Sequence, residues 1–220
     1  MKTRIVGFLS LALVLSGCST SDDHSAHGTP AVVKTVDSDS PFKGAWLQTP
    51  YLLPNGEFID TNGESVNWAT DGLPGEVNIV FFGYTNCADG FCQTQTATAA
   101  AAVRGLPAEI KSKVRVVFVT TDPARDTPEV LRTYLDQYGE DIIGLTGDFS
   151  IIQKAGLALG VEIEVPPSPT PAEGYEVGHG TQLIGFGRGG AISQAPVVWL
   201  PETPVADIRA DIEVLVKGTW

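Results

Sequence analysis

Basic residues, cysteine and histidine are all scarce in this chain of 220 residues. The 14 Lys and Arg residues stand against 26 Asp and Glu residues, which gives a formal net charge of −12. Phosphate backbones and anionic membrane surfaces repel an acidic protein, so we expect no nucleic acid partner. Beyond the N-terminal segment there is no second long apolar run and no internal repeat, so neither a second membrane span nor a repeat architecture is predicted.

The N-terminus has the pattern of an exported bacterial protein. A basic start, MKTR, precedes an apolar run at residues 5–15 that is too short for a comfortable membrane span. The LSGC segment at residues 15–18 resembles the lipobox of bacterial lipoproteins, which implies cleavage after residue 17 and a lipid on Cys18. The alternative is an ordinary signal peptide with an incidental cysteine. Lipidation would leave two free thiols and would anchor the protein on the extracytoplasmic face of the cell membrane.

Three regions follow from this pattern. Residues 1–17 are the predicted signal peptide. Residues 18–48 are rich in Ser, Asp, Thr, Gly and Pro and have few large apolar side chains, which is typical of a flexible tether. Residues 49–220 are predicted to form one domain, long enough to bury about two-thirds of the surface of its unfolded chain.

Hydrophobic patterning predicts alternating strands and helices across the domain. Asn62 and Gly63 stand between two short apolar arms, which indicates a β-hairpin. Nearly uninterrupted apolar runs at residues 77–82 and 114–120 indicate strands that are covered on both faces. Two further strands are predicted at residues 181–186 and 191–199, and helices from about residue 92 to 103, from Thr127 and Pro128 to Gly139, from Asp148 to Gly160, and over 205–217.

This order of elements predicts an α/β domain with a thioredoxin-like fold: a central mixed sheet flanked by helices, with an N-terminal hairpin extension. In such a fold the loop after the first central strand lies at the carboxyl edge of the sheet. Cys87 and Cys92 occupy that loop, just before the next helix. We expect a thiol near a helix N-terminus to have a lowered pKa, because the positive end of the helix dipole favours the thiolate.

Cys87, Cys92 and His179 together permit more than one chemistry. Two soft thiolates and one imidazole suit a soft monovalent metal ion, and the same thiols could cycle between dithiol and disulfide. A structural disulfide within the loop is a third interpretation, although so local a bridge adds little stability. Glycines on both sides leave the His179 ring accessible. Asp122 and Asp126, after the second central strand, are carboxylates that would support the ligands without binding the metal themselves.

Four segments give the domain a family resemblance. They are FGYTNC at residues 82–87, TDPARDTPEVL at 121–131, IGLTG at 143–147 and YEVGH at 175–179. In this order, over roughly residues 46–217, they resemble the Sco/SenC/PrrC proteins. Those proteins are copper-binding assembly factors of cytochrome oxidase with a thioredoxin-like fold.

By this resemblance, Cys87, Cys92 and His179 are the expected ligands of Cu(I), and often also of Cu(II). The resemblance implies a metallochaperone, a carrier rather than a turnover enzyme, that delivers copper to the copper-binding subunit of cytochrome c oxidase; we expect a monomer. One alternative is a thiol–disulfide oxidoreductase in which Cys87 attacks and Cys92 resolves, acting on cysteines such as those of the oxidase subunit. Another is a binding lipoprotein with only a structural disulfide.

The sequence departs from the family pattern at three points. Four residues separate the two cysteines where the family usually has three, and Ala88 and Gln93 stand where prolines are common. Gly178 replaces the aspartate that usually precedes the histidine. Because Gly90 gives the longer loop conformational freedom, we still expect both sulfurs to reach one metal ion.

Overall fold

A single eight-stranded sheet forms the centre of the domain. The structure is a computed structural model and describes residues 39–139, 141–165, 174–187 and 193–220. The predicted signal peptide, the lipidation residue Cys18 and most of the predicted tether lie outside the described residues.

The elements alternate much as the sequence pattern indicates. The strands are β1 (Ala45–Leu52), β2 (Glu57–Asp60), β3 (Ser65–Asn67), β4 (Val77–Gly83), β5 (Val114–Thr120), β6 (Ile143–Thr146), β7 (Leu183–Gly187) and β8 (Gln194–Trp199). The helices are α1 (Phe91–Arg104), α2 (Ala108–Lys111), α3 (Pro128–Leu135), α4 (Phe149–Ala158) and α5 (Val205–Lys217). Within the described residues, no helix is both long enough and apolar enough to cross a membrane.

The sheet is mixed, in the order β1-β8-β7-β4-β5-β6-β2-β3. Strands β4, β5 and β6 are parallel, whereas β7 pairs antiparallel with β4 and β2 pairs antiparallel with β6. The predicted hairpin is β2 and β3, which extends the sheet beyond β6. The predicted mixed sheet with an N-terminal hairpin extension is therefore confirmed.

The two central strands are apolar because both of their faces are covered. Every residue of β4 is buried, and in β5 only Arg115 is partly exposed. The pair runs in parallel register from Val77 beside Val114 to Gly83 beside Thr120. Helix α1 packs against both strands and against α5. The carboxyl ends of β4 and β5 thus form one edge, and the chain leaves that edge through the loop that contains the two cysteines.

The helix starts follow the predicted capping residues. Thr127 accepts a hydrogen bond from the backbone of Val130, and Pro128 occupies the first helical position of α3. Asp148 caps α4 by accepting bonds from the backbone amides of Ser150 and Ile151. Both caps use a side-chain oxygen to pair amides that have no partner within the helix.

Three elements were missed in the sequence: β1, β6 and the short α2. Strand β1 begins at Ala45, inside the predicted tether, so the predicted domain boundary at residue 49 falls within a strand. Helix α3 ends at Leu135 rather than near Gly139, because the amides of Gln137 and Tyr138 donate to carbonyls three residues back, in a tighter turn than the α-helix. Val130 was predicted on the apolar face of this helix but is 41% exposed.

Candidate metal centre

The loop between β4 and α1 brings Cys87 and Cys92 into contact. The backbone N–H of Cys92 donates to Cys87 Sγ at 3.3 Å, and both cysteines are buried free thiols. Gly90 precedes α1 with φ +79°, a left-handed conformation that glycine adopts without strain. Gly90 therefore turns the chain into the helix, and across the four-residue spacing the Cys92 amide meets the Cys87 sulfur.

His179 reaches the thiols from the other side of the pocket. Its backbone forms an isolated antiparallel bridge with Ile163, and its Nδ1 lies 2.9 Å from the Gly180 carbonyl oxygen. Because a carbonyl only accepts, Nδ1 carries the hydrogen of this contact, and Nε2 is the ring nitrogen that faces the thiols. Nε2 lies 3.5 Å from Cys92 Sγ. The ring of Tyr84 packs edge-on against the imidazole, with centroids 5.7 Å apart, and limits its rotation.

The two thiols differ in acidity. A hydrogen bond from Cys92 lowers the pKa of Cys87 to about 6; burial opposes this shift, and His179 and the Cys92 amide support it. The pKa of Cys92 is raised, first because its proton is held in the bond to Cys87 and then because it is buried. The expectation of thiolate character is met at Cys87 and is wrong for Cys92. In its thiol form Cys87 also donates to Asp89 Oδ1 at 3.1 Å, which slightly opposes ionisation.

The two aspartates that follow β5 support different sides of the pocket. Asp126 is buried and accepts hydrogen bonds from the backbone and side chain of Thr85, two residues before Cys87. Asp122 pairs with Arg125 and accepts a hydrogen bond from the Tyr175 hydroxyl at 2.8 Å. Arg125 also donates to the Tyr175 carbonyl at 2.9 Å, and its guanidinium lies 3.8 Å from the centroid of that ring. Asp126 therefore supports the loop between β4 and α1 (residues 84–90), called the thiol loop below, and Asp122 supports the segment that carries His179.

The pocket beside these groups has a volume of about 200 Å³ and an acidic lining. Cys87 and His179 line the pocket together with three carboxylate side chains, those of Asp89, Glu164 and Glu176. Neither Lys nor Arg is among the lining residues. In the described part of the chain, no group of three or more His, Cys, Asp and Glu side chains is arranged to hold a metal ion as it stands. The direct contacts nonetheless join the Cys92 backbone amide to the Cys87 sulfur and the imidazole to the Cys92 sulfur, so the donors fit a soft metal ion after side-chain adjustment.

Sequence reasoning missed several residues of this site. Asp89 accepts a hydrogen bond from the Phe91 amide at 2.9 Å, and an acidic residue just before a helix is a signal that could have identified it. Tyr84 lies in the FGYTNC segment, but the sequence alone predicted no function for its side chain. Glu164 had no signal in the sequence, because it reaches the pocket only through the pairing of its segment with the one around His179.

The fold and the site define a thioredoxin-like domain with a dithiol and an imidazole at the carboxyl edge of its sheet. Comparison with known proteins agrees with this class: the sequence profile of the SCO1/SenC family matches residues 48–215, more than half of the chain. The protein therefore belongs to the SCO1/SenC family. The predicted family and the thioredoxin-like fold are confirmed.

Individual relatives and solved structures agree with this family assignment. A Stutzerimonas stutzeri protein, provisionally named a copper-binding protein, is 37% identical over 140 residues, which cover 64% of this chain and 66% of that relative. The structure of apo Sco1 from Thermus thermophilus matches with TM-score 0.68 and 25% identity, over 82% of this chain and 100% of that one. Yeast Sco1 with copper bound matches with TM-score 0.67 and 26% identity, over 78% and 91%. The chain thus spans slightly less than two thirds of the Stutzerimonas relative.

Proposed function

We propose that this protein is an extracytoplasmic, membrane-anchored copper metallochaperone that serves assembly of the copper centre of cytochrome c oxidase. Copper is its cargo, and Cys87, Cys92 and His179 are the proposed ligands. The observation that carries the proposal is the meeting of two cysteines and the Nε2 atom of an imidazole at one sheet edge. Family membership and the copper-bound structure of yeast Sco1 support the choice of metal.

The donor set suits Cu(I) in particular. Thiolate ligands select soft monovalent copper, and imidazole is a good further ligand for it. The lowered pKa of Cys87 supplies one thiolate near neutral pH, and a bound cation would draw the proton from Cys92. Because Cys87 and His179 line an open pocket, a partner protein could replace these ligands one at a time. Such exchange is what a carrier requires, and no covalent turnover is involved.

The anchor, the location and the partner are parts of the same proposal. A lipid on Cys18 would hold the domain on the extracytoplasmic face of the membrane, and the residues between Cys18 and the start of the domain would act as a tether. The copper-binding subunit of the oxidase is the proposed acceptor, because family resemblance points to it. The domain would act as a monomer.

The test is a Cu(I) titration of residues 18–220 carrying Cys18→Ser, against a competing Cu(I) chelator under anaerobic, reducing conditions. We expect one tightly bound Cu(I), and a loss of affinity of at least about tenfold in each of Cys87→Ser, Cys92→Ser and His179→Ala. Asn86→Ala, which changes an exposed side chain beside Cys87, is the matched control and should bind like the unsubstituted chain. Binding that is weak, or that is indifferent to His179→Ala, contradicts the proposal.

A second function, thiol–disulfide exchange, is favoured by the unequal acidity of the two thiols. The Cys87 thiolate would attack a substrate disulfide, forming a mixed disulfide and releasing one substrate thiolate. Cys92 would then lose its proton and attack Cys87 Sγ, which forms the Cys87–Cys92 disulfide and releases the second substrate thiol. Two electrons pass from the protein to the substrate. Retention of this activity in His179→Ala, together with weak Cu(I) binding, would favour exchange over copper transfer.

A further inference from the structure

Two short segments meet beside the metal-centre pocket. Ile163 forms a bridge with His179, and the backbone N–H of Glu164 donates to the Gly178 carbonyl at 2.8 Å. The Gly180 amide donates to the Glu162 carbonyl at 3.2 Å. Residues 162–164 and 178–180 are therefore paired, and the position of the side chain of Glu164 is linked to that of His179.

The carboxyl group of Glu164 fills the space that the missing side chain of Gly178 leaves. A Cβ atom built on Gly178 would lie 2.5 Å from Glu164 Oε2 and 2.6 Å from Glu164 Cδ, closer than van der Waals contact allows. Any larger residue at position 178 would displace this carboxyl group. The glycine therefore permits a carboxylate from the neighbouring segment to lie directly beside the backbone of the histidine.

The Glu164 carboxylate faces the pocket that the proposed metal ligands also face. Glu164 lines the pocket with Cys87 and His179, and the charged side chains of the lining are all acidic. The nearby guanidinium of Arg125 is already paired with Asp122 and lies outside the lining. A metal ion bound in the pocket therefore experiences the negative charge of Glu164 without a lining cation to offset it.

We propose that Glu164 sets the charge preference of the pocket, favouring a divalent over a monovalent metal ion and so retaining Cu(II) beside a thiol set that alone selects Cu(I). The inference rests on the proposed copper site. Electrostatic attraction is proportional to the charge of the ion, so the carboxylate stabilises a dication about twice as much as a monocation. Oxygen is also a harder donor than sulfur, which favours the divalent ion in the same direction.

The test compares Cu(I) with Co(II), a divalent probe that does not oxidise thiols, on residues 18–220 carrying Cys18→Ser. We expect Glu164→Gln to weaken Cu(I) by about threefold and Co(II) by about tenfold, because the logarithm of the loss doubles with the charge of the ion. Gly178→Ala should reproduce this result, because it displaces the carboxyl group without changing its charge. Glu162→Gln removes the same charge from an exposed position outside the pocket lining and should leave both affinities unchanged.

The outcomes are distinct. Equal losses for Cu(I) and Co(II), no loss in Glu164→Gln, or an equal effect of Glu162→Gln would overturn the role of Glu164 while leaving the copper site in place. Wild-type affinity of Gly178→Ala for Co(II) would also overturn it, because the position of the carboxyl group would then not matter. Absence of tight Cu(I) binding to the unsubstituted chain would overturn the proposed function and this inference with it.

Discussion

Thr85 and Asp126 join the loop that carries Cys87 to the end of β5. The Thr85 amide donates to Asp126 Oδ2 at 3.0 Å, and the Thr85 hydroxyl donates to Oδ1 at 2.6 Å, across 41 positions of the chain. The Thr120 hydroxyl also donates to Oδ2 at 2.6 Å. Burial raises the pKa of Asp126, and these three bonds oppose that shift by stabilising its charged form. The geometry of the thiol loop therefore depends on one distant carboxylate.

Asp126→Asn should destabilise the domain and loosen the thiol loop. An amide offers one oxygen where the carboxylate offers two, so at least one buried donor of Thr85 or Thr120 loses its partner. We expect the free energy of unfolding to fall by about 1–3 kcal/mol in urea denaturation. Asp136→Asn is the control: its ion pair with Arg132 is largely exposed and should contribute less than about 1 kcal/mol. Equal effects of the two substitutions would contradict the role given to Asp126.

Arg125→Ala should release the segment that carries His179. The substitution removes the partner of Asp122, which is 1% exposed, and the contacts with Tyr175. Loss of one member of a buried ion pair costs about 3–5 kcal/mol. Hydrogen exchange of the amides at residues 175–180 should accelerate and Cu(I) affinity should fall.

Arg125→Lys distinguishes the contribution of the positive charge of Arg125 from that of its planar guanidinium group. Lysine keeps the charge opposite Asp122 but lacks the planar fork that bonds to the Tyr175 carbonyl and stacks on its ring, so the loss should be smaller but measurable. If exchange at residues 175–180 stays at the wild-type rate in Arg125→Ala, the ion pair does not hold the His179 segment.

The parts of the fold that the sequence predicted are those with strong local patterns. Strands β4 and β5 are uninterrupted apolar runs, and α3 and α4 start at recognisable capping residues, Thr127 and Asp148. Strand β1 lacks such a pattern, because it is a half-exposed edge strand whose partner, β8, is far along the chain. Strand β6 has only four residues, and its identity depends on pairing with β5 and β2.

The site was also predictable only where a local sequence pattern marks it. Cys87, Cys92 and His179 were identified by residue type and motif, and the structure places them at one edge. Their acidities depend on which thiol donates to the other, and a sequence pattern does not encode that direction. The contact between Glu164 and Gly178 arises from the pairing of two short segments without periodicity, so it was invisible before the fold was known.

The start of the domain can be tested by truncation. Asp211 accepts hydrogen bonds from the amides of Lys43 and Gly44 at 2.7 and 2.8 Å and from the Trp199 indole at 2.8 Å. A chain of residues 39–220 keeps all three bonds. A chain of residues 49–220, the predicted domain, loses two of them and the first half of β1, so a buried carboxylate is left short of donors.

We expect the shorter chain to be less stable by at least about 2 kcal/mol, since each of the two lost partners of a buried charged group costs about 1–3 kcal/mol. Urea denaturation followed by Trp fluorescence measures the difference. A chain of residues 18–220 with Cys18→Ser is the reference and should match residues 39–220. Equal stability of the two truncated chains would support the predicted boundary at residue 49 and contradict this expectation.

The order of the thiol acidities gives the last prediction. Because hydrogen bonding lowers the pKa of Cys87 to about 6, alkylation by iodoacetamide should titrate with a midpoint near pH 6, and mass spectrometry should find the adduct on Cys87 rather than on the fully buried Cys92. A lowered thiol pKa stabilises the folded state above the ordinary thiol pKa, and that contribution is lost as the pH falls through about 6.

Two substitutions at Cys92 test the cause of this shift. Cys92→Ala removes the side-chain donor, so the midpoint for Cys87 should rise toward the ordinary thiol value of about 8.5. Cys92→Ser keeps a hydroxyl donor at the same position, so its midpoint should stay below that of Cys92→Ala. If both variants keep the midpoint of the unsubstituted chain, the shift arises from the Cys92 amide and His179 instead. The Cys87 thiolate that binds a metal ion or attacks a substrate disulfide would then form without help from the Cys92 side chain.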